Sequence, residues 1–164
     1  MDLTIRPLTT PVDAAAFRTL NEEWIVRHFT LEAEDRRQLD DPVRVIVDPG
    51  GEVLVAELDG RVVGCVALRP AADGVYELSK MAVDPALRGR GVGRRVITAA
   101  VERARQLGAA SLFLGSSTRL APAVHLYESV GFTHVPREEI DMPYERADVF
   151  MVLRLDSASA RVSA

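Results

Sequence analysis

A glycine- and arginine-rich segment from Arg88 to Arg95 is the part of the chain whose residue types and spacing point most directly to chemistry. It follows an apolar stretch that ends near Val83 and precedes a run with helical periodicity. Glycines let backbone N–H groups approach an anion closely, and a helix N-terminus adds partial positive charge. Four arginines and no acid occur in the segment, although the chain's net charge is −4. The segment therefore predicts a local site for an anion such as a pyrophosphate.

Two common nucleotide-binding motifs do not fit the segment. A Walker A loop ends in Gly-Lys-Ser or Gly-Lys-Thr, and neither occurs here. A dinucleotide-binding fingerprint needs its third glycine three positions after the second, where this chain has Arg94. The glycines lie instead at Gly89, Gly91 and Gly93. If the segment binds no ligand, the remaining alternative is that it is a flexible basic turn.

Two motifs resemble those of the GNAT superfamily of N-acetyltransferases. The loop Arg88-Gly89-Arg90-Gly91-Val92-Gly93 resembles the superfamily's acetyl-CoA loop, Arg/Gln-x-x-Gly-x-Gly/Ala. The later stretch Leu126-Tyr127-Glu128-Ser129-Val130-Gly131-Phe132 resembles its second signature, a helix ending in Leu-Tyr-x-x-x-Gly-Phe. The order of elements also matches from Leu3 to Leu155. The resemblance implies the GNAT fold and acetyl-CoA as the acyl-donor cosubstrate.

The resemblance also implies which residues hold the cofactor. Backbone N–H groups near Met81, Ala82 and Val83 would meet the acetyl carbonyl and the pantetheine arm, while the Ala82 and Val83 side chains serve as core. The pyrophosphate would be bound by the loop residues Arg88, Gly89, Arg90, Gly91, Val92 and Gly93.

One position departs from the family pattern. Many relatives carry Asn seven residues before the motif tyrosine, where its amide contacts the pantetheine arm, but this chain has Leu120. Ser116, Ser117 or Thr118 could replace that contact. The simpler expectation is that these hydroxyl residues cap the helix that follows.

Acetyl transfer from a thioester to an amine needs a base for the amine and a proton for the departing thiolate. Glu77 is the one acid in its predicted strand and resembles the glutamate that many relatives use as base, directly or through water. Tyr127 resembles the family tyrosine that lies near the CoA sulfur and can donate the proton. The alternatives are a strand glutamate paired with Lys80 or an arginine, and a tyrosine that only packs.

The function implied is acetyl-CoA-dependent N-acetylation of a primary amine on a small-molecule acceptor, by direct transfer in a ternary complex. A non-catalytic acyl-CoA-binding sensor domain and an acyltransferase acting on a protein amine stay open as alternatives. Residues that could face the acceptor lie on the first helix and before the last strand. They are Glu22, Glu23, Arg27 and His28, and then Tyr144, Glu145 and Arg146.

Composition excludes several other classes of protein. With 48% apolar and 27% charged residues, the chain of 164 residues resembles an ordinary globular domain. No apolar run is long enough to span a membrane and the N-terminus does not resemble a leader, so we expect a cytoplasmic protein that binds no membrane. Cys65 as the single cysteine, together with three histidines, predicts neither a disulfide nor a metal site. The net charge disfavours nucleic-acid binding, and homodimerisation stays open.

The elements that must position these residues follow from hydrophobic spacing and turn residues. The predicted strands are 3–6, 53–56, 62–68, 75–83, 111–114, 132–135 and 149–155, and the predicted helices are 12–29, 30–39, 96–107 and 122–130. The fold class is therefore α/β (α+β), a mixed and mainly antiparallel sheet of six or seven strands flanked by four helices. We expect one domain over 1–155 and a disordered tail over 156–164.

Overall fold

Seven strands make one continuous sheet in a computed structural model that describes residues 1–155. The tail at 156–164, for which the sequence predicts disorder, lies outside the described residues. The strands are β1 (Leu3–Pro7), β2 (Glu52–Leu58), β3 (Arg61–Ala72), β4 (Val75–Val83), β5 (Ser111–Ser116), β6 (Thr133–His134) and β7 (Val149–Arg154). Their order across the sheet is β1-β2-β3-β4-β5-β7-β6. The neighbours β4 and β5 run parallel, and the other pairs are antiparallel.

Four α-helices cover the sheet within residues 1–155: α1 (Pro11–His28), α2 (Ala33–Asp40), α3 (Val92–Gln106) and α4 (Ala121–Ser129). A capping box between Thr10 and Asp13 begins α1. Gly91, in the left-handed conformation at φ 85°, precedes the first turn of α3. The predicted fold class, a mainly antiparallel sheet with four flanking helices, is confirmed.

The two faces of the sheet carry separate cores. On one face α3 and α4 pack over residues that include Leu68, Ile97 and Leu112, none of which is exposed. On the other face α1 and α2 bury Phe17 and Leu39. Since α3 presents apolar residues at helical spacing to the sheet, its N-terminus is held at a defined position beside β4.

A β-bulge interrupts β4 at Lys80. Cys65 pairs with Ala82 and Ala67 pairs with Ser79, so the two residues Lys80 and Met81 oppose one residue of β3. Lys80 has φ 53°, an uncommon value for a residue with a side chain. The extra residue shifts the alternation of side chains along the strand, because Leu78 belongs to the α3 core whereas Ala82 belongs to the α1 core.

The strands β4 and β5 stay together over only three residue pairs, from Val75 with Ser111 to Glu77 with Phe113. Beyond Glu77 the side of β4 that faces β5 forms no further ladder with it in the described part of the chain. The gap between the two strands is the opening in which the site lies. In residues 1–155 no helix combines the length and apolarity needed to cross a membrane.

Candidate active site

Two adjoining cavities occupy the opening beside β4. The larger is a cleft of about 650 Å³ between β4, the loop before α3, α4 and the end of α1. The smaller is a cavity of about 110 Å³ between β4, β5 and the segment before β7. Both are lined by Trp24, Met81, Leu120 and Tyr127. A molecule in the cleft and another in the cavity would therefore meet at these four side chains.

Six of the nine residues predicted to hold the cofactor line the cleft: Met81, Ala82, Val83, Arg88, Gly89 and Gly93. The other three, Arg90, Gly91 and Val92, do not line it. Val92 is the first residue of α3 and its side chain is buried in the core, and Gly91 precedes that helix. Gly91 serves the shape of the turn, which needs a left-handed residue before the helix.

The loop before α3 has the geometry of an anion cradle. Gly89 and Gly91 both have positive φ, at 79° and 85°. The N–H groups in the first turn of α3 have no acceptors within the helix, and no side chain of residues 1–155 caps them. A Cβ atom at Gly93 would lie 3.5 Å from Leu126, an ordinary van der Waals contact, so α4 packs directly against the start of α3. These residues fit the pyrophosphate of a nucleotide cofactor.

Three of the four arginines of the loop region, Arg88, Arg94 and Arg95, are held by hydrogen bonds to other parts of the chain. Arg88 donates to Glu23 of α1 at 2.8 Å, and its guanidinium lies 4.7 Å from the ring centre of Trp24. Arg94 donates to the Ser129 hydroxyl at 2.9 Å, and Arg95 to the Leu3 carbonyl at 2.9 Å. The sequence makes Glu23 a candidate to face the acceptor. In the structure it is the ion-pair partner of the loop arginine.

Tyr127 lies on α4 at the junction of the two cavities and is almost completely buried. Its ring packs edge-on against Phe132, with the ring centres 6.0 Å apart, which explains why both aromatic residues occur in the second motif. Burial raises the pKa of Tyr127 to about 12. The hydroxyl is therefore protonated at neutral pH and can donate.

Glu77 lines the smaller cavity at the last paired position of β4 with β5. Its side chain is 12% exposed, and Arg69 Nη1 donates to Oε1 at 3.4 Å. Burial raises the pKa of Glu77, and the positive charges of Arg69 and Lys80 oppose that shift. Of the two pairings weighed from the sequence, the structure forms the one with an arginine.

Lys80 is instead part of a buried network that the sequence did not indicate. Lys80 Nζ donates to Asp35 Oδ1 and to the Tyr144 hydroxyl, each at 2.8 Å. Arg146 donates to both oxygens of Asp35, at 2.8 Å each. Burial opposes ionisation of Asp35, but hydrogen bonds from Arg146 and Lys80 outweigh it and lower its pKa to about 2. Asp35 resembles a helix-capping residue in sequence, and no local pattern connects it to Lys80.

The hydroxyl residues before α4 do not cap that helix, so the capping expectation is wrong. Leu120 is the residue at the N-cap position, and no side chain caps α4. Ser116 and Ser117 line the smaller cavity, whereas Thr118 binds Asp148. The chain there is held by Asp148 before β7, which makes a side-chain cap unnecessary for ordering the turn.

The remaining candidates lie in the cleft, on the surface of α1 or in the protein interior. Arg27 and His28 line the larger cleft, but Glu22 pairs with Arg18 along α1. Cys65 is fully buried, and burial raises the pKa of its thiol to about 12. Among residues 1–155, no three His, Cys, Asp or Glu side chains are grouped so that they could hold a metal ion.

Comparison with known proteins gives consistent matches. Residues 14–132 match the model of the Acetyltransferase (GNAT) family. The uncharacterized N-acetyltransferase YjgM of Escherichia coli (strain K12) is 35% identical over 100 residues, which cover 59% of this chain and 60% of that protein. N-acetylaspartate synthetase of Xenopus tropicalis is 41% identical over 88 residues, 53% of this chain and 32% of that protein. This chain thus spans well under two thirds of either relative.

This chain is also similar to a solved structure that contains acetyl-CoA. YncA of Salmonella typhimurium, whose structure includes its cofactor acetyl-CoA, has a TM-score of 0.73 to this chain and 28% sequence identity. The match covers 94% of each chain.

Proposed function

Because the chain belongs to the acetyltransferase (GNAT) family, we propose that it transfers an acetyl group from acetyl-CoA directly to a primary amine of a small-molecule acceptor, both being bound at once. The observation that carries the proposal is the position of Tyr127, which lines the cleft and the smaller cavity alike. The cleft has the size and lining for the cofactor, and the cavity for the acceptor. Acetyl-CoA, when bound, supplies the activated acetyl thioester.

The cofactor would be held by backbone rather than by side-chain charge. Beyond Glu77, the edge of β4 that faces β5 forms no ladder with β5 within residues 1–155, so its backbone N–H and C=O groups could bind an extended amide chain. The loop glycines and the uncapped first turn of α3 provide N–H groups for the pyrophosphate. Apolar lining from Leu87, Ala123 and Leu126 suits the alkyl parts of the pantetheine arm.

We propose Glu77 as the base that takes the proton from the acceptor amine, directly or through water. An amine is mostly protonated at neutral pH, so it needs an acceptor for its proton before it can attack. The raised pKa of Glu77 brings the carboxyl closer to the working pH, which makes it a better base than an exposed carboxylate. Arg69, its register partner on β3, donates to the Glu77 carboxylate at 3.4 Å and helps to hold it in place.

We propose Tyr127 as the acid that protonates the departing CoA thiolate. Its pKa of about 12 ensures that the hydroxyl carries a proton at neutral pH. Its burial between the cleft and the cavity supports a position near the reacting thioester.

A direct transfer is favoured over an acyl-enzyme because the chain offers a poor thiol nucleophile. Cys65 is fully buried, and its thiol pKa of about 12 leaves almost no thiolate at neutral pH. Asn21 Nδ2 also donates a hydrogen bond to the sulfur at 3.3 Å, so the sulfur already has a partner within the protein.

A small acceptor is supported by the cavity of about 110 Å³, which is smaller than the pockets that hold drug-sized ligands. The name of the Xenopus relative, N-acetylaspartate synthetase, also indicates acetylation of a small amino compound by that protein. A protein amine would have to enter the same small cavity.

The decisive experiment measures CoA thiol release and acetylated product together. Purified protein is incubated with acetyl-CoA and a panel of amines, amino acids and a lysine-containing peptide, and products are identified by their mass. Amine-dependent release of CoA with a small acceptor supports the proposal. Tight binding of acetyl-CoA by calorimetry, without transfer to any amine, would instead support a sensor domain, and transfer to the peptide alone would indicate a protein acceptor.

A further inference from the structure

The wall of the smaller cavity opposite α4 is built from hydrogen-bond donors. Lys80, Tyr144 and Arg146 all line this cavity. Lys80 comes from the bulge of β4, and the other two come from the segment that precedes β7. Lys80 and Arg146 both bind the carboxylate of Asp35, and Tyr144 joins this network through its hydrogen bond from Lys80.

Each of these groups retains a donor that the network does not use. The Lys80 ammonium has three N–H bonds and gives two of them, to Asp35 and Tyr144. The Tyr144 oxygen accepts from Lys80 and from Gln38, the latter at 3.3 Å, so its own O–H is left to donate. Arg146 places its Nη1 and Nη2 groups on Asp35 and Glu32, which leaves Nε unused.

The same wall offers few free hydrogen-bond acceptors. Asp35 receives four donors, from Lys80, twice from Arg146 and from the backbone N–H of Glu32, so its oxygens are fully occupied. Glu32 contacts Arg146 at 3.1 Å but is not among the residues that line the cavity. Glu77 is the carboxylate that lines it.

The charges that border the cavity also suit an anion. Lys80 and Arg146 have side chains that are 3% and 19% exposed, and both bind the buried carboxylate of Asp35. The second anion of the cluster, Glu32, pairs with Arg146 and does not line the cavity. Burial lowers the pKa of Lys80, while Asp35 opposes that shift. A carboxylate inside the cavity would be attracted to both cations, and the wall offers it several unused donors.

A third observation is an unsatisfied polar atom at the same place. Ser79 lines the cavity beside Lys80, and its buried hydroxyl has no hydrogen-bond partner in the described part of the chain. Buried polar groups normally have a partner, so one left without indicates a ligand or water. The bulge points to function as well, because a lysine at φ 53° is a strained choice that persists where the surroundings require it.

We propose that the acceptor amine carries a carboxylate, and that Lys80, Tyr144 and Arg146 bind this carboxylate while the amine lies toward Glu77. The acceptor would thus be a small amino carboxylic acid. Glu77 and Lys80 lie three positions apart on β4 and line the same cavity, so one small molecule could contact both side chains. The inference rests on the proposed acetyl transfer and names its substrate class.

The test compares matched ligands that differ at the carboxylate. Binding of the twenty standard L-amino acids and of their carboxamides is measured by calorimetry on the protein saturated with CoA, which permits no turnover. We expect at least one acid to bind, with its carboxamide about 10-fold weaker or more. The inference is overturned if no acid binds, or if the carboxamide of every acid that binds has an equal affinity.

Variants of the wall make the test residue-specific. Tyr144→Phe removes one hydroxyl and keeps the ring, and Lys80→Met removes the ammonium. Each should weaken binding of the acid about 10- to 100-fold while leaving the carboxamide and CoA affinities unchanged. Tyr144→Phe alone decides the matter if Lys80→Met does not fold. Equal affinity for the acid in Tyr144→Phe and the parent would contradict the assignment.

The control variant is Arg36→Gln, which removes a positive charge from an exposed position of α2 without touching the cavity. It should bind the acid as the parent does. Acetylation of the same ligands is measured separately, so that the two proposals can fail independently. An acid that binds but is never acetylated overturns the proposed transfer, whereas equal acetylation of acid and carboxamide overturns the carboxylate site.

Discussion

Lys80 Nζ and Asp35 Oδ1 are 2.8 Å apart, although 45 residues separate them in sequence and their side chains are only 3% and 0% exposed. Arg146 contacts the same carboxylate from the segment before β7. The network thereby joins α2, β4 and the approach to the last strand around the smaller cavity. A buried charge of this kind is costly to leave without its partner.

Asp35→Asn should therefore destabilise the protein strongly. The substitution leaves two cations without their shared carboxylate, and loss of one partner of a buried ion pair costs about 3–5 kcal/mol. The measurement is the free energy of unfolding from urea denaturation. Asp40→Asn serves as control because Asp40 is 58% exposed and pairs with Arg18 at 3.6 Å, so its effect should stay within about 0.5 kcal/mol. Similar effects of the two substitutions would contradict the role given to Asp35.

The same carboxylate should make the fold sensitive to acid. The pKa of Asp35 is about 2 in the folded protein, against an ordinary value of 3.8. The folded state thus gains stability above pH 3.8, roughly 2 kcal/mol, and this gain is lost as the pH falls toward 2. Unfolding free energies measured between pH 5 and pH 2 should fall more steeply in the parent than in Asp35→Asn. Parallel curves would show that other groups control the acid transition.

Gly89→Val should weaken cofactor binding beyond its effect on folding. Gly89 lines the cleft at φ 79°, and Gly60, in the turn between β2 and β3, has φ 78°. A Cβ atom at either position meets no atom within 4 Å, so backbone strain of about 1–2 kcal/mol is the expected shared cost. Gly60→Val is therefore a matched control for stability. Calorimetry should show weaker acetyl-CoA binding in Gly89→Val alone, and equal affinity in both would place the cofactor elsewhere.

Tyr127→Phe should lower the rate of transfer more than the affinity for acetyl-CoA. The substitution removes the proton donor but keeps the ring packing against Phe132. General-acid catalysis typically contributes about 10²- to 10⁴-fold, so kcat should fall within that range. Tyr76→Phe is the control, because Tyr76 lies on β4 among the core residues and lines neither cavity. An unchanged kcat in Tyr127→Phe would leave Tyr127 with a packing role only.

Glu77→Gln should change the dependence of rate on pH. Burial raises the pKa of Glu77, so in the parent kcat/KM rises with pH as this carboxyl loses its proton. The variant lacks that base, and its deficit should shrink at high pH, where the acceptor amine is deprotonated without help. Glu128→Gln is the control, since Glu128 is 47% exposed and pairs with His134. If Glu77→Gln keeps the parent's rate across neutral pH, the base is another group or solvent.

Features that depend on neighbouring residues could be predicted from the amino-acid sequence. Hydrophobic spacing predicted seven strands and four helices, and the arrangement found agrees with that fold class. The glycines of the loop were informative because positive φ and close backbone approach are requirements that a few adjacent residues express. The position of Tyr127 one turn before Gly131 was likewise readable from local pattern.

Which charges meet and which residues face the cleft depends on contacts between distant parts of the chain. Arg88 pairs with Glu23, 65 residues away, so the positive charge counted along the loop is partly neutralised by α1. Arg90, Gly91 and Val92 belong to the same motif yet do not line the cleft, because the turn into α3 directs successive residues to different sides. Local pattern could not reveal this, since neither ion pairing nor burial is a property of sequence neighbours.

The bulge at Lys80 is the clearest case of this division. Within β4 a lysine among apolar residues is consistent with an exposed strand position, and alternation predicts no change of face. The mismatch in register with β3 inserts one extra residue, turns Lys80 to Asp35 and opens the cavity beside β5. The cause of the bulge is the pairing between strands, because a bulge exists only relative to the partner strand. The residues around the acceptor cavity could therefore be assigned only once the positions of β3, α2 and the segment before β7 were known.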